Sequence, residues 1–144
     1  MVAQAARHFA YAWITLTLAL ACHVLDEATH DFLSVYNPAV LQMRAALPWL
    51  PVPTFRFGEW ITGLTLAVGA LLALAPFAFL RRPWIVMASY PYAGFMLANG
   101  AGHIVSSVYV GEFLPGVFSS PLLLAASVYL WRAAALERRS LPRG

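Results

Sequence analysis

The chain has 144 residues, of which 61% are hydrophobic and 10% are charged, and its formal net charge is +3. Soluble domains carry about a quarter charged residues, so this composition excludes an ordinary water-soluble domain and is typical of a protein surrounded by lipid. All nine basic residues are arginines. They lie at the ends of apolar stretches instead of forming one basic face, which argues against a nucleic-acid partner.

Four apolar stretches are long enough to cross a membrane as helices. A helix needs about 20 residues to span about 30 Å of hydrocarbon. The predicted spans cover about residues 9–28, 57–80, 84–108 and 114–131. The sequence therefore predicts an all-α fold, an integral membrane four-helix bundle that forms a single transmembrane domain over residues 1–144.

The end of the first predicted span carries a dense set of ionisable residues. On a helix, His23, Glu27 and His30 are spaced i, i+4 and i+7, which places them along one face, and Asp26 lies beside that face. Two imidazoles and one or two carboxylates on one stripe suit a metal site or a proton relay. The segment Glu27-x-x-His30 also has the spacing of inward ligands in di-iron carboxylate bundles, but the sequence contains one such segment where those bundles have two.

The connection between the first two spans, residues 29–56, is predicted to hold one short helix. Asn37 suits a helix cap and Pro38 suits a first turn, so we expect a helix over about residues 39–47, ended by a proline-rich stretch. Trp49 favours headgroup depth. The short helix is therefore expected to lie in the external membrane interface, as a lid over the bundle mouth or as a stiff connector.

The second and third spans bring further polar residues to the same level of the membrane. Glu59 lies near the external start of the second span, and Asn99 and His103 are one turn apart in the outer part of the third. Counted from the cytoplasmic side, His23 lies roughly 21 Å along the first span, and Asn99 and His103 lie roughly 22 and 28 Å along the third. Ionisable groups in hydrocarbon cost a few kcal/mol each and are normally paired or functional.

These residues define one predicted site near the outer face. The predicted metal ligands are His23, Glu27, His30, Glu59, Asn99 and His103. Asp26 or Glu59 is predicted to act as a general base beside the metal.

Arginine placement predicts the orientation, because cytoplasmic loops are enriched in Lys and Arg. Seven arginines share one side: Arg7, Arg81, Arg82, Arg132, Arg138, Arg139 and Arg143. Only Arg44 and Arg56 lie on the other. Both termini are therefore predicted to be cytoplasmic, and the polar tail, residues 137–144, is expected to fray.

The segment His23-Val24-Leu25-Asp26-Glu27 matches the pattern H-x-x-E-E with Asp in place of the first Glu. The chain thus resembles a family of small four-helix bacterial membrane proteins named for this HXXEE motif. Glu59 and the Asn99-x-x-x-His103 pair fit the resemblance, which covers most of the chain. It implies a multi-pass protein of the bacterial inner (cytoplasmic) membrane with a site at these residues, but it implies no reaction.

The mixed histidine and carboxylate set predicts a membrane-embedded metalloenzyme. Such ligands suit zinc, iron or manganese, with zinc or iron favoured, whereas the single cysteine argues against copper(I) and iron–sulfur clusters. A site within the membrane is expected to act on a lipid-like or other apolar substrate. The reaction would be that of a metal-dependent hydrolase or oxidoreductase.

Two alternatives stay open. The first is a metal-free acid–base isomerase, because the polar set is similar to that of sterol isomerases of the emopamil-binding type. Glu27 and Glu59 would then exchange protons, and Trp60 would face a carbocation. The second is a non-enzymatic accessory subunit of a larger membrane complex or homo-oligomer. A conduit is disfavoured because stretches such as 64–80 and 122–130 are almost wholly apolar.

Overall fold

A computed structural model describes residues 2–140, with side chains from residue 7 onward. This part of the chain is all-helical and contains no strand. It has five helices of at least 15 residues and one of five: α1 (Val2–Thr29), α2 (Phe32–Ala46), α3 (Phe57–Ala73), α4 (Ala75–Phe79), α5 (Pro83–Val110) and α6 (Ser120–Ser140). Arg143, one of the arginines behind the predicted orientation, lies outside the described residues.

Two helical segments are long and apolar enough to cross a membrane. They are Arg7–Thr29 in α1 and Phe57–Phe79, which joins α3 and α4. Only 11% of the most apolar window of the second segment is buried, so most of its apolar side chains face outward, as Leu66 does at 68% exposure. The all-helical fold is confirmed, and the crossing of the membrane by four helices stays a prediction.

α1 is the central helix. It packs against α3 and α4 on one side and against α6 on the other, and α6 packs in turn against α5. Trp13, Leu16 and Leu20 form its buried face at alternating spacings of three and four residues. The same spacing continues into His23 and Glu27, which are 0% and 5% exposed. The face that fills the apolar core therefore also carries the two polar side chains into the bundle.

α2 begins earlier than predicted. Pro38 lies inside the helix, and the residue that precedes the helix is Asp31, whose φ of 54° is in the left-handed region. Asn37 does not cap a helix; its side-chain amide bonds to the backbone of Phe55 in both directions, at 2.9 and 3.1 Å. The predicted helix start at Asn37-Pro38 is wrong. The chain instead reverses directly after α1, and Phe32 packs against the core.

The second predicted span is helical but interrupted. α3 ends at Ala73 and α4 begins at Ala75, so the two meet at Leu74. Pro76 in the first turn of α4 lacks the N–H that would continue the hydrogen-bond ladder of α3.

The fourth predicted span, residues 114–131, is wrong at both ends. Gly111, with φ 77°, ends α5, and residues 111–119 form a loop, so α6 begins only at Ser120. α6 then continues to Ser140. The tail predicted to fray from residue 137 is helical as far as it is described, because Glu137 is buried and paired with Arg81.

Candidate metal centre

Three ionisable side chains meet where α1 and α5 come together. His23, Glu27 and His103 form the one group of potential ligands found among the described residues, with ligand atoms within 4.8 Å of one another. Nε2 of His103 lies 3.1 Å from Oε1 of Glu27, and Nε2 of His23 lies 3.7 Å from the same oxygen. The two imidazoles are edge to face, with centroids 4.8 Å apart. The structure thus brings together residues 76 to 80 positions apart in the sequence.

The backbone of the α5–α6 loop determines which nitrogen of His103 faces Glu27. Nδ1 of His103 lies 2.7 Å from the carbonyl oxygen of Pro115. Because a carbonyl oxygen only accepts, Nδ1 carries the proton and donates it. In the neutral imidazole, Nε2 then presents its lone pair to Glu27. Histidines that bind metals are typically held in this way, with the other ring N–H donated to a carbonyl or carboxylate.

A serine and an aspartate orient His23 in the same manner. The hydroxyl of Ser119 donates to Oδ2 of Asp26 at 2.7 Å, and its backbone N–H donates to the same oxygen at 2.8 Å. With its proton engaged by a carboxylate, the hydroxyl accepts from Nδ1 of His23, which lies 2.8 Å away. Nε2 of His23 is therefore the nitrogen with the free lone pair, and it faces Glu27.

Gly116 allows the loop to approach both imidazoles. Its φ of +87° is one that side chains rarely adopt, and a Cβ here would lie 2.7 Å from Nδ1 and Cε1 of His103 and 3.0 Å from Cε1 of His23. Only glycine fits this position. Sequence reasoning missed Gly116, Pro115 and Ser119 because residues 114–131 were assigned to a helix. The Pro115-Gly116 dipeptide, a turn signal, was the feature that could have revealed the loop.

The donor set fits a metal ion. Ligands at about 2.0–2.1 Å from a tetrahedral zinc are roughly 3.4 Å from one another. The two contacts with Glu27 are 3.1 and 3.7 Å, and all three ligand atoms lie within 4.8 Å of one another. Nε2 of His23 is buried and has no hydrogen-bond partner among the described residues, although buried polar atoms normally have one. The group formed by His23, Glu27 and His103 could therefore hold a metal ion.

Comparisons of the chain with protein-family models, with curated proteins and with solved structures find no match. The resemblance to the HXXEE family, carried by the segment from His23 to Glu27 with Glu59, Asn99 and His103, stays a prediction.

The structure places His30 and Asp26 beside the three-residue group and not within it. The backbone N–H of His30 still donates to the carbonyl of Asp26 at 3.1 Å, but seven residues of helix separate it from His23 by roughly 10 Å along the axis. Its side chain is 50% exposed, lies 2.9 Å from Oδ1 of Asp26 and is outside the three-residue group. The Asp26 carboxylate lies behind His23, bonded to Ser119.

Glu59 and Asn99 line the cavity that opens onto the group. Oε2 of Glu59 accepts from the backbone N–H of Arg56 at 3.2 Å, so this carboxylate stabilises the start of α3 and does not join the three-residue group. Asn99, one turn before His103, lines the cavity of about 320 Å³ that reaches His23 and Glu27. It also lines a second cavity, of about 240 Å³, on the His103 side.

Aromatic residues of α2 and the following loop cover the outer end of the larger cavity. Phe32 lies 5.7 Å from both Trp60 and His103, measured between ring centroids. Tyr36 donates its hydroxyl to the carbonyl of Pro53 at 3.0 Å. Burial raises the pKa of the Tyr36 phenol, and the nearby Arg44 opposes this shift. Tyr36 is thus a neutral hydrogen-bond donor, and its bond to the carbonyl of Pro53 holds α2 in place over the site.

Proposed function

We propose that this chain is a membrane-embedded metalloenzyme whose metal centre is formed by His23, Glu27 and His103. The main support is the convergence of two Nε2 atoms and one carboxylate oxygen, with each imidazole held from behind through Nδ1. Two histidines and one glutamate are a known catalytic zinc set, and two histidines with one carboxylate are also used by non-haem iron. Zinc or iron(II) is the proposed metal, with manganese the less favoured choice.

The surrounding residues have distinct proposed roles. A metal ion bound by His23, Glu27 and His103 would act as a Lewis acid toward a bound molecule. Glu59, on the wall of the same cavity, is placed to exchange a proton with a bound molecule, and the amide of Asn99 can donate to its oxygen. Asp26 acts through Ser119 to orient His23, which replaces the general-base role predicted for it.

The membrane arrangement is also a proposal: four crossings of the bacterial inner membrane with both termini in the cytoplasm. Tyr129 on α6 contacts His8 near the start of α1 at 3.3 Å. Arg81 on the α4–α5 turn is bonded to Glu137 near the end of α6. These contacts gather at one end of the bundle most of the arginines predicted to be cytoplasmic: Arg7, Arg81, Arg82, Arg132, Arg138 and Arg139.

Metal analysis of the purified protein tests the proposed centre. We expect a single zinc or iron ion per wild-type chain, retained through dialysis. Glu27→Gln, which keeps the shape of the side chain, and His103→Ala are expected to lose it. His30→Ala is the matched control, because it removes an imidazole at the rim outside the group. A wild-type protein that is folded and takes up no divalent metal contradicts the proposal.

A metal-free acid–base pair is the second candidate, favoured by one observation. The 3.1 Å separation of Glu27 and His103 also suits a proton shared between carboxylate and imidazole. The metal analysis separates the two candidates. If the wild type contains no metal and the metal content of His103→Ala is the same, proton transfer from Glu27 and His103 to a bound molecule is favoured.

A further inference from the structure

We propose that the metal centre receives a single-chain amphiphile sideways from the lipid, through a gap between α3 and α5. The polar end of this molecule would reach His23 and Glu27, and its alkyl or isoprenoid chain would lie in the apolar part of the cavity. This inference rests on the proposed metalloenzyme function and names the class of molecule that the site accepts.

The gap follows from how the helices pack. α3 packs on α1 and α4, α5 packs mainly on α6, and α3 and α5 have almost no packing between them. The cavity of about 320 Å³ occupies the space between these two helices, and residues of α1 form its floor. Its volume is in the range of about 300–1,000 Å³ typical of small-ligand sites.

The floor of this cavity is buried, and two residues at its side are exposed. His23 and Glu27 on the floor are 0% and 5% exposed, and Trp60 on the wall is 7% exposed. At the mouth, Gly63 of α3 is exposed, and Phe95 of α5 is 71% exposed. The cavity therefore opens laterally, and an aromatic ring lies at its mouth. Gly63 lies roughly 9 Å along the candidate span Phe57–Phe79, within the apolar part of a bilayer.

The polarity of the lining identifies the occupant. On α1, α3 and α5 the polar lining residue lies toward the outer end and the apolar one toward the middle: Glu27 then Leu20 on α1, Glu59 then Leu64 on α3, and Asn99 then Met96 on α5. A molecule that matches this gradient has a polar head at the level of the metal centre and an apolar chain directed toward the bilayer centre. Single-chain lipids of the outer leaflet already have this orientation.

Gly63 provides a way to close the gap without disturbing the protein. A Cβ at Gly63 would meet no atom within 4 Å, so the side chain of Gly63→Leu extends into open space beside the cavity. Gly69→Leu is the matched control, because Gly69 lies on the same helix with equally open space but does not line the cavity. Leucine is a better helix former than glycine, so both variants should fold.

The first experiment uses two hydroxamates, which chelate metal through the same head group. Cobalt-loaded protein in nanodiscs of phosphatidylethanolamine and phosphatidylglycerol is titrated with lauroyl hydroxamate and with acetohydroxamate, and the cobalt absorption spectrum reports binding. We expect Gly63→Leu to weaken lauroyl hydroxamate by about tenfold or more, the loss expected when several methylenes lose their contacts. Acetohydroxamate binding should not change, and Gly69→Leu should change neither.

The outcomes separate this inference from the metal centre on which it rests. If cobalt binds and lauroyl hydroxamate has the same affinity for the wild type and Gly63→Leu, the metal centre is supported and the proposed entry through the lateral gap is contradicted. If no cobalt binds, a diazirine-bearing palmitate still tests the cavity. Labelling of cavity residues in wild type and Gly69→Leu, and its loss in Gly63→Leu, supports the chain site without the metal. Equal labelling in all three overturns it.

Discussion

The two ends of the bundle each bury a glutamate, and they balance its charge in different ways. Glu137 on α6 is 1% exposed and is bonded to Nε of Arg81, whose Nη2 donates to the hydroxyl of Ser140 at 2.6 Å. Glu27 on α1 is 5% exposed and faces two imidazole nitrogens, and no arginine pairs with it among residues 7–140. Arginine is always charged, whereas an imidazole is charged only when protonated.

This difference bears on which end of the bundle carries the proposed site. Arg81 balances the charge of Glu137 through Oε1, although Oε2 has no hydrogen-bond partner among the described residues. A carboxylate between two imidazoles whose Nδ1 atoms are already donating is compensated only by a further cation, either a proton or a metal ion. Buried ionisable groups that the fold does not compensate by itself are the ones that indicate a site. This contrast supports the proposed metal centre at the Glu27 end and a structural role for the Glu137 end.

The largest expected effect concerns the Glu27 end. Zinc at about 1,000 times its dissociation constant should raise the free energy of unfolding of the wild type by about 4 kcal/mol, because the ion binds only the folded chain. Glu27→Gln should abolish this gain, and Arg81→Ala should keep it. Unfolding in detergent with and without zinc measures the difference. An equal gain in Glu27→Gln shows that zinc stabilises the protein from another site.

The next effect concerns the Glu137 end. Arg81→Ala should lower the free energy of unfolding by about 3 kcal/mol, because it leaves Glu137 buried without its partner. Arg82→Ala, at the exposed neighbouring position, should change it by less than about 0.5 kcal/mol. Replacing Arg81 and Glu137 together by Met and Leu should recover most of the loss. Zinc binding lost in Arg81→Ala would contradict the independence of the two ends.

A smaller effect tests the contact between the α5–α6 loop and the imidazoles. Gly116→Ala should cost about 2 kcal/mol of stability, since it adds a close contact with His103 to the strain of a positive φ. Gly111→Ala is the control: its φ is +77°, but a Cβ there meets nothing within 4 Å, so about 1 kcal/mol is expected. Only Gly116→Ala should also weaken zinc binding. Equal losses in the two variants would mean that the close contact has no effect.

The smallest effect concerns the hydrogen bond behind His23. Ser119→Ala should weaken zinc binding by about tenfold, because residues that orient metal-binding histidines typically contribute 10- to 100-fold to affinity. Ser127→Ala removes another buried hydroxyl, two turns further along α6 and bonded to the carbonyl of Leu123, and should leave zinc affinity unchanged. Titration with a competing chelator measures both. Equal zinc affinity in Ser119→Ala and the wild type would contradict the role of Ser119 and Asp26 in orienting His23.

The sequence alone determined the features that depend on local periodicity. The apolar composition and the length of the apolar stretches indicate helices, and the structure is all-helical where it is described. The spacing of His23 and Glu27 places them on one face of α1, because a helix repeats every 3.6 residues. These properties follow from neighbouring residues along the chain, so no knowledge of packing was needed to predict them.

The sequence placed His23, Glu27 and His103 within one predicted set of six ligands, but only the tertiary structure decided which members of that set meet. It left His30 half-exposed beside Asp26 and outside the group, and it made residues 111–119 a loop in which Gly116 contacts both imidazoles. It also joined Arg81 to Glu137 across 56 positions of sequence. Such contacts depend on how separate helices and loops pack in three dimensions, and the periodicity of a single segment carries no information about its distant neighbours.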